Sequence, residues 1–146
     1  YFSFVWKLYY EMQMPMLLGF KKVYGDLESF HIHGICLVNH ALHSKKNDNS
    51  EMNKEFYLEK YFFAEQKEEV GVNAMSISDI TGIPRATVIR KLNILLKEKF
   101  LTIDSKKHYS ITGVHQKKIL NVQKNTLNNL SKFSARIYNL SLMKDN

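Results

Sequence analysis

Residues 75–112 read MSISDITGIPRATVIRKLNILLKEKFLTIDSKKHYSIT, and the fold is decided there. Ser76-Ile77-Ser78-Asp79 has the spacing of a capping box, with Asp in place of the usual Glu, so a short helix is expected to begin at Ser76. Thr81-Gly82 ends it, because Gly82 can take the left-handed conformation that a tight inter-helix turn requires. Pro84 suits the first turn of a new helix, where its missing N–H would be unpaired in any case. From Pro84 to Lys99 the pattern stays helical: Val88, Ile89, Leu92, Leu95 and Leu96 share one side, and Ala86, Thr87, Arg90, Asn93 and Lys97 fall on the other. Ile94 is an apolar exception on that open side. Phe100–Ile103 and Tyr109–Thr112 then alternate in the manner of short strands, parted by a polar tip, Asp104–His108, that suits a hairpin.

Helix, glycine turn, second amphipathic helix with a small and basic outer face, then a hairpin: this is the grammar of a winged helix-turn-helix. Ala86 and Thr87 are small enough to let the second helix approach a groove wall, from which Arg90 reaches a base edge or a phosphate. Lys106, Lys107 and His108 sit on the hairpin tip, where phosphates would be met. The candidate DNA-binding set is Ser76, Arg85, Ala86, Thr87, Arg90, Lys91, Asn93, Lys97, Lys106, Lys107 and His108. The plainer alternatives are a helical hairpin inside a bundle and a solvated lysine-rich loop.

The segment resembles the winged helix-turn-helix of bacterial transcriptional regulators and is similar to the MarR-like and IclR-like DNA-binding domains. The resemblance is carried by Ser76–Thr81, by TGIPRATVIRKLNIL and by FLTID…YSIT, about a quarter of the chain. Many relatives have Gly before the first wing strand, where this chain has Lys99. Length and flanking helices favour the MarR-like group, which implies an all-helical dimer built around the wing, with an effector of unknown identity.

Working outward, 146 residues suffice for one domain with an added arm. The net charge of +7 is unevenly placed. Residues 1–75 carry 8 Lys and Arg against 10 Asp and Glu, whereas residues 76–146 carry 13 against 4. A basic second half points to an anionic partner for that half, although 18 of the 21 cations are Lys and a coding bias is the bland alternative. Residues 3–20 predict a helix kinked or split at Pro15, with Gly19 and Gly25 marking its end. A second helix is expected from Asp26 to Lys45, with Leu27, Phe30, Gly34, Leu37, Val38, Ala41 and Leu42 on its apolar side. A third is expected from Glu51 to Lys67, carrying Phe56, Tyr57, Tyr61, Phe62 and Phe63 as core. Val114–Met143 holds no Pro or Gly, and Ile119, Val122, Leu127, Leu130, Phe133, Ile137 and Leu140 recur at helical spacing. Such a helix is long enough to pair with a second copy or to pack on residues 1–67.

The single cysteine, Cys36, excludes an intrachain disulfide and favours a reduced, cytoplasmic location. No apolar run reaches the roughly 20 residues that cross a bilayer. The chain opens on Tyr1 rather than Met, which is compatible with a piece of a longer gene product. Phosphate-loop, nucleophile-elbow and zinc-protease motifs are absent, and Glu65, Glu68 and Glu69 read as a solvated helix end, so no catalysis and no cofactor are expected. His33, Cys36, His40 and His43, spaced 3, 4 and 3, fall within one arc of the second helix, opposite Leu27, Phe30 and Val38. Histidines on a wet helix face are the ordinary reading, with a metal site or an oxidant-sensing thiol as the sharper ones. His31 is expected at the core edge.

The expected architecture is mainly α with a small β-hairpin wing: an N-terminal helical region (1–70), the winged helix-turn-helix (71–113) and a C-terminal dimerisation helix (114–146). The expected function is a dimeric, sequence-specific transcription regulator bound to double-stranded DNA. The alternative is a winged helix serving protein interaction or replication initiation.

Overall fold

A computed structural model describes residues 2–44 and 71–142. Among them the chain forms five helices and one two-stranded antiparallel sheet: α1 (Phe2–Tyr24), α2 (Leu27–Ser44), α3 (Ala74–Thr81), α4 (Arg85–Lys97), β1 (Leu101–Ile103), β2 (Tyr109–Ile111) and α5 (Gln116–Leu142). The helix expected over Glu51–Lys67, with its aromatics and carboxylates, lies outside the described residues. Two compact units result: residues 1–27 with 117–146, and residues 28–116. α1 and most of α5 belong to the first unit and α2 to the second.

In the first unit α1 and α5 run antiparallel: Tyr9 meets the ring of Phe133 edge-on at 6.4 Å, and Gly19 lies against Val122. Arg136 donates to the carboxylate of Glu11 at 3.1 Å, and Lys7 stands 3.7 Å from the same group. These pairs are exposed and contribute little to stability. Among the described residues of this unit Leu8, Phe20, Tyr24 and Ile119 are the buried side chains. α1 is one helix through Pro15, so it is not split there, and of the two glycines expected at its end it passes Gly19. Gly19 is instead a point of close approach, since a Cβ there would stand 2.9 Å from Val122 Cγ1. The helix ends at Gly25, whose φ of +84° only glycine adopts freely and whose N–H returns to Lys21 O.

The second unit packs α2 with α3, α4 and the hairpin around Ile32, Cys36, Ile77, Val88, Leu92, Leu95, Phe100, Leu101 and Tyr109. The inward face of α2 is the reverse of the expected one. Ser29, Ile32, His33, Cys36 and His40 are buried, whereas Leu27, Val38 and Leu42 are exposed, and His31 points outward too. Two physical facts explain the reversal. Ile32 and Ile35 make α2 apolar nearly all round, so periodicity does not select a face. Ser29 and Cys36 are small, and a neutral imidazole packs as a flat ring: His33 meets Phe100 edge-on, with centroids 5.8 Å apart.

β1 and β2 pair in the register Leu101↔Ile111, Thr102↔Ser110 and Ile103↔Tyr109. Val72 adds a bridge to Tyr109 through two backbone hydrogen bonds, which the sequence pattern did not suggest. The junction from α4 into β1 is a Schellman turn. Lys99 N–H returns to Leu96 O and Phe100 N–H to Leu95 O, and the buried Phe100 and Leu95 supply its apolar contact. The left-handed residue is Lys99, with φ of +62°. A side chain in that conformation costs about 1–2 kcal/mol. Glycine removes that cost but adds unfolded-state freedom. Lys99→Gly is therefore expected to stabilise the chain by about 0.5–1 kcal/mol, read as a Tm a few degrees higher; an unchanged or lower Tm would contradict this.

Candidate nucleic-acid interface

Local hydrogen bonds fix the path from α3 into α4. α3 is capped by Asn73, whose side-chain oxygen accepts from Ser76 N–H at 2.9 Å. Ser76 thus lies in the first turn and is not the cap, because the better-placed Asn three residues earlier takes that role. Gly82 closes α3 as expected, at φ +70°, its N–H bonded to Ser78 O. The Ser78 hydroxyl donates to Ile83 O at 2.7 Å, and the Thr81 hydroxyl donates to Ile77 O while accepting from Ile83 N–H. Two short polar side chains, through three hydrogen bonds, thereby tie the turn to α3 and set the departure direction of α4. Pro84 stands just before the first turn of α4, its carbonyl accepting from Val88 N–H.

α4 buries Val88, Lys91, Leu92 and Leu95. Opposite them Ala86, Arg90, Asn93 and Lys97 are exposed and fall within an arc of about 60°. Arg85 is also exposed and Thr87 half-buried. Among the described residues Arg85, Arg90 and Lys97 enter no ion pair. Lys91 departs from the candidate set: it is only 7% exposed, and its ammonium stands 3.3 Å from Glu28 of α2. Its position on the buried side of α4 directs the long stem across the core, so it joins α4 to α2 and is unavailable to a ligand.

The hairpin tip is organised by Asp104. One carboxylate oxygen accepts from Lys106 N–H at 2.9 Å and His108 N–H at 2.8 Å, and the other stands 3.4 Å from His108 Nδ1. The His108 N–H foremost, with the neighbouring His108 and Lys106 groups, holds the Asp104 carboxyl below its ordinary value. Lys107 takes the left-handed position, φ +62°, that closes the tip, and its N–H bonds to Asp104 O. Lys106 and Lys107 are exposed and His108 half-buried. At the base of the hairpin His115 donates from Nε2 to Glu98 O at 2.7 Å and stacks on Phe100 with centroids 4.1 Å apart. The end of α4 is thus tied to the segment after the hairpin.

The His/Cys arc of α2 has a different fate. His33, Cys36 and His40 are buried, and His43 is exposed, its Nδ1 donating to Asn39 O. Among the described residues no three such side chains are grouped to hold a metal ion. Burial pushes the Cys36 thiol up to about 12, which keeps it protonated and a poor nucleophile. Among the same residues no helix is long and apolar enough to cross a membrane. Comparison of the chain with family models, with curated proteins and with solved structures returned no match.

Proposed function

We propose that the chain is a sequence-specific DNA-binding transcription regulator, a winged helix-turn-helix of MarR-like or IclR-like type acting as a dimer. The observation that carries this reading is the outer face of α4, where Ala86, Arg90, Asn93 and Lys97 stand together, without carboxylate partners among the described residues and opposite an apolar core. A helix presenting one small residue, one guanidinium and one carboxamide suits a major groove: the small residue admits the backbone, and the other two form paired hydrogen bonds to guanine and adenine. Lys106 and Lys107 add charge on a tip held by Asp104, suited to phosphates on the flank. Selection of bound duplexes from a random pool tests the proposal. A sharp consensus supports it; weak binding, indifferent to sequence and erased by salt, favours the protein-interaction alternative instead.

The dimer is supported by the first unit. Leu127, Leu130, Tyr138 and Leu142 of α5 are exposed, as are Phe2, Trp6, Tyr10, Met14 and Leu18 of α1, far more apolar surface than scattered single residues account for. A two-fold pair also matches the symmetric sites that such proteins read. Replacing Leu130 and Ile137 of α5 by Lys is expected to halve the mass in sedimentation, with helix content retained. A double variant that remains a dimer would sink this assignment.

A further inference from the structure

Ile89 shares the core side of α4 in the sequence pattern, yet it is 39% exposed. At 100° per residue it lies about 40° from Asn93 and about 60° from Ala86, on the border of the polar arc. Its neighbours on the helix surface are Arg85 and Ala86 one turn back and Asn93 one turn on, all exposed. An aliphatic branch is thus framed by a guanidinium, a methyl group and a carboxamide. Side chains on a helix lean toward its N-terminus, so Ile89 covers the surface beside Arg85 and Ala86, in the half of α4 that meets base edges first when such a helix enters a groove.

What an aliphatic group meets there is restricted. Phosphate oxygens offer it nothing and would lose water to it. Base edges in the major groove are donors and acceptors with one apolar exception, the 5-methyl group of thymine. Ala86 keeps the helix backbone near the groove floor, which lets a short branched side chain reach that methyl. We propose that Ile89 is a specificity-determining residue that reads a thymine by packing on its 5-methyl group, next to the base pairs addressed by Arg90 and Asn93. The inference rests on the DNA-binding reading above. Ile94, also exposed, lies beyond Arg90 toward the C-terminal end of α4, away from that first-entering half.

Deoxyuridine tests this directly, because it differs from thymidine by the methyl group alone. On the duplex selected from a random pool, each thymine is replaced in turn by deoxyuridine and the affinity is measured for the wild-type chain and for Ile89→Ala. The expected result is one position at which the wild type loses about fourfold in affinity, the worth of one buried methyl group. Ile89→Ala is expected to bind the two duplexes equally at that position. Ile89→Gln, a good helix former of similar length, repeats the comparison should the alanine variant fold poorly. A wild-type chain that prefers the selected duplex over a scrambled one but ignores every deoxyuridine overturns the proposal, as does an Ile89→Ala chain that keeps the methyl dependence. No preference for any duplex would instead overturn the DNA-binding reading itself, and the two failures are told apart by the scrambled control.

Discussion

Acidification from pH 6.5 to 4 is expected to remove on the order of 3 kcal/mol of stability through one side chain, His33. Its imidazole is buried on α2 against Phe100, and burial foremost, with the charge of His115 second, pushes it from the ordinary 6.5 down to about 4. The unfolded chain, with an unperturbed imidazole, therefore takes up a proton first as the pH falls. The full stability is present above pH 6.5, declines across the interval down to about 4 and is constant below it for this group. The width of the interval sets the size, at about 1.4 kcal/mol for each pH unit. His40, lowered by burial as well, acts in the same direction. Asp104, itself lowered, contributes stability that is lost only at more acid pH, below the ordinary carboxylate value, so its effect is separable. Thermal unfolding at pH 7.5, 6, 5 and 4.5 should show Tm falling by about 10 °C for a chain of this size. His33→Leu should flatten most of that fall and leave the part due to His40. Parallel curves for the two chains would show that His33 is not the group responsible.

Arg90→Ala is expected to cost about 1–3 kcal/mol on the preferred duplex and to relax the preference at one base position. The guanidinium stands at one edge of the exposed arc of α4, free of ion pairs among the described residues. From there it can make paired hydrogen bonds to guanine O6 and N7, a geometry that lysine lacks. Lys106 on the hairpin tip should behave otherwise. Lys106→Ala is expected to weaken all sequences alike and to reduce the salt slope by about one unit, the signature of one lost phosphate contact. Titrations against specific and scrambled duplexes at several salt concentrations separate the two. Equal losses on both duplexes for Arg90→Ala would reject base reading by that residue while leaving DNA binding in place.

What the sequence disclosed follows the range over which each feature is determined. Gly82, the hairpin and the outer arc of α4 were legible because each depends on a few adjacent residues: a left-handed turn, two alternating runs, a helical period. The face of α2 was not, because its apolar residues surround the helix, and the choice fell to small size at Ser29 and Cys36 and to the packing of His33 on a ring 67 positions away. Side-chain type alone makes Lys91 an outer cation; its angular position beside Leu92 and Leu95 on the core side, and a partner at Glu28, decide otherwise. Ser76 and Asp79 have the spacing of a cap, but Asn73, three residues earlier, accepts the Ser76 N–H and takes that role.

Trp6 is the chain's single tryptophan, and it sits in the exposed aromatic group of α1, with Tyr9 at 5.2 Å and Tyr10 at 5.7 Å between ring centroids. The long-wavelength ultraviolet emission of the protein is therefore an optical label placed by nature on the α1–α5 unit alone. A solvent-shifted spectrum reports on water around that helix pair. Events at α4 or at the hairpin are dark in this signal unless they reach α1, so the same cuvette distinguishes association of helices from occupation of the basic face.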